Sequence, residues 1–155
     1  MVLILKFACA RILADLPGFS GYRLLTMKRK KEPWELVAFI TTQTGDDLIV
    51  SFAVCQPDDP TDIESLTILR TPKYEAFLDE WERGASVSFD RDPEGDERVM
   101  LREVVYASDN KCIMLRTDHH TYKLDVRKVD PSELSAMRRV FRKMNFDSSI
   151  QLRGV

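Results

Sequence analysis

An α+β fold is predicted, with a mainly antiparallel sheet of about eight strands packed by two amphipathic helices. Three observations carry this. Tyr122, Leu124 and Val126 alternate with Lys123, Asp125 and Arg127, the period of two of a half-buried strand. Leu134, Met137, Phe141 and Met144 recur on one helical stripe. Strands also come in runs before each helix rather than singly between helices, which argues against a parallel doubly wound sheet. At 155 residues, with 44% hydrophobic and 31% charged side chains, the chain is read as one globular domain.

The first sixteen residues are apolar but interrupted by Lys6 and Arg11. They are too short to span a bilayer and lack the plan of a signal peptide. Residues 2–7 read as a buried strand and 8–16 as a turn of helix stopped by Pro17-Gly18, though strand and helix both stay open for so short a run. Residues 22–28, 34–42 and 48–55 read as strands, separated by Lys30-Lys31-Glu32-Pro33 and Thr44-Gly45-Asp46-Asp47. The Pro- and Asp-rich stretch 56–62 is a loop, and 66–69 is a short strand.

A helix is expected over 72–83. Thr71-Pro72 supplies a cap and a first-turn proline. Tyr74, Phe77, Leu78 and Trp81 form its stripe, Glu75, Asp79, Glu80 and Glu82 its wet face, and Gly84 its end. A strand at 85–89 and a loop at 90–96 follow.

Residues 97–129 read as a three-stranded meander. The apolar parity slips between Leu101 and Val104, so a bulge belongs near Arg102-Glu103. Ser108-Asp109-Asn110 and the tip from Thr117 to His120 are turns, and a hairpin turning at Asp118-His119 sets Cys112 near Asp125. Asp130 caps the last helix, 131–144, with Pro131 at its first position and Glu133 where a capping box wants it. Asn145 stops it, and 149–152 reads as a last short strand. The predicted core is Leu36, Phe39, Ile40, Phe52, Phe77, Leu78, Trp81, Ile113, Leu115, Tyr122, Leu124, Val126, Leu134, Met137, Phe141 and Met144. In outline, these strands followed by a C-terminal amphipathic helix resemble pleckstrin-homology-like barrels. The chain is longer and carries an extra helix between strands, so no residue role is carried over.

No sequence motif fixes an activity. There is no phosphate loop, no GxGxxG, no GxSxG, no HExxH and no CxxC pair. Asp118-His119-His120 reads as a polar turn, because Cys112 falls about 20 Å along the hairpin from it at roughly 3.3 Å per residue. Cys9, Cys55 and Cys112 are read as reduced core thiols in a cytoplasmic protein. No cofactor or metal is expected, no membrane association, and enzymatic activity is disfavoured.

Charge is the remaining signal. The net charge is −2, but residues 1–42 carry 7 basic and 3 acidic side chains, 43–96 carry 4 and 14, and 97–145 carry 11 and 7. The expected function is therefore non-enzymatic binding of a protein partner through the acidic middle, with Glu75, Asp79, Glu80 and Glu82 as the surface. An inhibitor, an immunity-type protein or an adaptor would work this way. The alternative is nucleic-acid association through Lys28 to Lys31 and through Arg138, Arg139, Arg142 and Lys143 on the last helix, against which stand the mildly acidic total and the lack of stacking aromatics on the sheet. An enzyme with an unrecognised site is the second alternative. Exposed strand edges would also allow two copies to pair.

Overall fold

A computed structural model describes residues 33–92 and 98–155. Eight strands and one long helix make up this part of the chain: β1 (Glu35–Gln43), β2 (Leu48–Cys55), β3 (Ile63–Arg70), β4 (Ser86–Phe89), β5 (Val99–Ala107), β6 (Cys112–Thr117), β7 (Thr121–Asp125), α1 (Pro131–Met144) and β8 (Gln151–Arg153). The strands anticipated at 2–7 and 22–28 lie outside the described residues, as does the basic run 28–31.

The strand order β4-β3-β2-β1-β7-β6-β5-β8 has an additional β4–β5 pairing, so seven strands close on themselves and β8 flanks β5. Neighbours are antiparallel except β1–β7 and β5–β8. An odd number of meandering strands must meet once in parallel, and β1–β7 is that seam.

Both corners of the barrel are made by a strand that changes partner at a bulge. In β5, Val99 and Met100 pair with β4, the register shifts between Leu101 and Glu103, and Glu103 to Val105 then pair with β8. The bulge read from the sequence at Arg102-Glu103 is therefore the corner. In β1, Glu35 and Leu36 pair with β7, and the register against β2 shifts between Val37 and Phe39. That second bulge was not legible. It turns Val37 and Ile40 inward together and leaves Phe39 44% exposed, so Phe39 is no core residue.

Past its bulge, β1 has left β7, and α1 covers the opening. Leu134, Met137, Val140, Phe141 and Met144 are buried in one cluster with Phe52, Leu66, Ile68, Val104, Ile113 and Leu124 from both halves of the barrel. Asp130 caps the helix through the Ser132 N–H. Glu133 does not complete the expected capping box: its carboxylate accepts the Ile40 N–H at 2.9 Å, satisfying a β1 donor that β7 no longer reaches. Glu133→Ala should cost about 1–3 kcal/mol by leaving that donor without an acceptor. Glu133→Gln, which keeps a carbonyl oxygen there, should cost less, and equal urea midpoints for the two variants would contradict this role.

The second predicted helix is corrected. Residues 72–83 form two short 3₁₀ turns, Pro72–Phe77 and Glu80–Glu82, with no buried residue in either. The physical reason lies in competition for its polar groups and in its lack of a partner. The Thr71 hydroxyl bonds Asp47 instead of capping, and Leu78 and Asp79 are extended, at ψ 150 and 153. An isolated stretch this short holds a helix only when its apolar face is buried, and the barrel is already closed and plugged by α1. Phe77 and Trp81 are accordingly not core. Cys55 is a free, half-buried thiol, and Cys9 lies outside the described residues.

Candidate functional site

Among the described residues, the segment linking β3 to β4 holds the two most exposed aromatic side chains and a third that is half-exposed. Phe77 is 85% exposed, Trp81 71% and Tyr74 53%. Scattered single apolar side chains on a surface are ordinary, but three aromatic groups within eight residues of one connection are not. Between them stand Asp79 and Glu80, both exposed.

The segment is held at both ends. Arg70, the last residue of β3, has a fully buried side chain. It donates to both Glu75 carboxylate oxygens, at 2.6 and 3.0 Å. Glu75 also accepts the Gly84 N–H at 3.2 Å, and Gly84 takes φ +123, a conformation that favours glycine. One buried cation thus ties the start and the end of the segment together. Burial works against the charge on Arg70, but its bonds to Asp147 and Glu75 outweigh that and hold its pKa above the ordinary value. Phe146, 59% exposed, lies over the same guanidinium at 4.2 Å.

The four acidic residues singled out from sequence therefore divide. Glu75 faces inward to Arg70. Asp79 and Glu80 are exposed, and Glu82 is half-buried, its carboxylate accepting the Asp79 N–H at 3.3 Å. The helical spacing of Tyr74, Phe77 and Trp81 predicts a buried stripe, and the structure places all three on the surface. A signal was present: Asp79 followed three residues later by Glu82 is a helix-start pattern inside the supposed helix, and it marks the break.

The basic residues of α1 divide as well. Arg139, Arg142 and Lys143 are exposed, while Arg138 is half-buried with its guanidinium 5.9 Å from the Tyr106 ring centre. Burial raises the Tyr106 hydroxyl pKa despite that cation. Arg116 pairs with buried Glu103 at 3.0 Å and Arg127 with Asp125 at 2.7 Å, so both are engaged in the fold. His120 packs 6.1 Å from the Tyr122 ring. Among the described residues, no group of three or more His, Cys, Asp or Glu side chains is placed to hold a metal, and no helix is long and apolar enough to cross a membrane. Comparison with models of known families, with curated proteins and with solved structures yields no match.

Proposed function

We propose that the chain is a non-enzymatic interaction domain that docks a basic protein partner on its β3–β4 segment. The observation that carries this is the exposure of Phe77 and Trp81 on a segment anchored by a buried ion pair. Exposed aromatic anchors on a pre-positioned backbone are what binding hot spots are made of, since little order is lost on association. The flanking Asp79, Glu80 and Glu82 select the partner's charge: they favour a cationic rim and repel nucleic acid and anionic lipid. Inhibitor, immunity-type and adaptor roles all use such a surface.

The test places a photo-crosslinking residue at position 81 in the host cell and identifies what it captures. The captured protein should bind the wild type and lose at least roughly 30-fold in affinity for the Phe77→Ser, Trp81→Ser double variant, about 2 kcal/mol at a hot spot. A similar loss is expected for Asp79→Lys with Glu80→Lys. Because these side chains are exposed, each change should move stability by less than about 0.5 kcal/mol. A partner that binds the variants as well as the wild type overturns the reading. Capture of a second copy replaces it with self-association, and retention of nucleic acid by variants of Arg139, Arg142 and Lys143 weaker than by wild type transfers function to α1.

A further inference from the structure

The described arginines divide sharply between those bound into the fold and those facing solvent. Outside α1 each has an acceptor. Arg70, Arg91, Arg102, Arg116, Arg127 and Arg153 pair with carboxylates, and Arg83 and Arg98 each donate to a main-chain carbonyl at 3.1 Å. On α1 the pattern stops. Arg139, Arg142 and Lys143 are exposed, and their charged groups meet no acceptor among the described residues. The single acid of the helix, Glu133, is bound to the Ile40 N–H. Asp147, just past the helix, is bound to Arg70.

This arrangement works against the helix that carries it. Arg138 with Arg142 and Arg139 with Lys143 stand four residues apart, where like charges repel across one turn. The helix dipole favours cations only within the last turn, which accounts for Arg142 and Lys143 and leaves Arg138 and Arg139 without that support. The row ends on an aromatic group. Phe146 is 59% exposed, and the Arg70 guanidinium lies 4.2 Å from its ring centre, so the ring is held in place with much of its surface open.

We infer that the exposed face of α1 binds a short acidic stretch of a protein partner, extended and of the form acid-x-acid-x-apolar. Arg139 and Lys143 lie about 6 Å apart along the helix at roughly 1.5 Å per residue. Alternate side chains of an extended chain are separated by about 6.6 Å at roughly 3.3 Å per residue, so two carboxylates of such a stretch reach both cations at once. Arg142 strengthens the field between them, and the apolar side chain that follows packs on Phe146. A longer polyanion fits this face poorly. Past Phe146 it meets Asp147 and the acid-rich β3–β4 segment, whose Glu75 shares the Arg70 guanidinium with Phe146. This face and the β3–β4 docking surface have no contact residue in common, so each can be tested by itself.

The probes are blocked peptides added to the full chain at low salt, while the amide resonances of residues 138–146 and the Phe146 ring are followed. Glu-Ser-Glu-Ser-Leu should bind with a dissociation constant in the millimolar range, as befits so small a ligand. Glu-Ser-Glu-Ser-Ser should bind at least roughly threefold more weakly, and Lys-Ser-Lys-Ser-Leu should leave these resonances unmoved. The double variant Arg139→Glu, Lys143→Glu should lose the acidic peptide by at least roughly tenfold and gain the basic one, an exchange that a merely structural role would not produce. The wild-type comparison needs no variant, so a misfolded double variant would not spare the inference. Equal response to the acidic and basic peptides, equal binding of the peptide lacking leucine, or shifts confined to other parts of the chain overturns it. An oligothymidine of matching charge that binds more tightly than Glu-Ser-Glu-Ser-Leu also overturns it and gives the face to phosphate.

Discussion

Replacing Phe141 by alanine should lower the unfolding free energy by about 3–5 kcal/mol, the range for a buried aromatic ring. The side chain is fully buried and sits in the cluster that joins α1 to strands from both halves of the barrel. It fills the opening that the β1 bulge creates. No main-chain bond substitutes for it there, because α1 meets β1 through side chains and one Glu133 bond. The neighbours Met137 and Met144 are also fully buried and are adaptable enough to flow partly into the cavity. They place the expected loss nearer the lower limit. Urea unfolding should show a reduced midpoint with an unchanged slope. A loss below about 1 kcal/mol would mean that the helix does not depend on this ring to plug the barrel.

Phe141 was legible in the sequence because its stripe has one period and one partner. The same holds for the meander: the Cys112–Asp125 register and the Arg102-Glu103 bulge both follow from alternation and turn chemistry. The failures share a cause. Tyr74, Phe77, Leu78 and Trp81 have helical spacing, but spacing says only that the residues would share a face, not that another surface waits to bury it. Whether such a face is core or docking surface depends on how many elements the barrel already has, which is non-local information. The β1 bulge was hidden because Leu36, Val37, Ala38, Phe39 and Ile40 are all apolar, so a slip of register leaves no mark in the pattern.

Arg70 gives the second large effect. Substituting it by methionine should destabilise the fold by about 3–5 kcal/mol, as expected when one partner of a buried ion pair is removed. Its guanidinium serves Glu75, Asp147, the Met144 carbonyl and the Ser149 hydroxyl, and so binds β3, the β3–β4 segment and the C-terminal end of α1. A cation at a helix C-terminus also suits the helix dipole. Arg70→Lys should not rescue the loss fully, since an ammonium cannot reproduce the planar fork that spans two carboxylates. The released Glu75 would free the β3–β4 segment, so protease cleavage between residues 71 and 84 should accelerate in both variants. Acid gives an independent check. The Arg70 bonds hold the Asp147 carboxyl well below the usual carboxylate range. A depressed pKa means that stability is fully present above the unfolded value of about 3.9 and drains away as pH falls below it. Asp147→Asn should therefore be less stable than wild type near neutrality, with the gap closing in acid. A gap that stays constant with pH would show that Asp147 acts through its turn bonds to Ser149 and that the charge on Arg70 is matched by Glu75 alone.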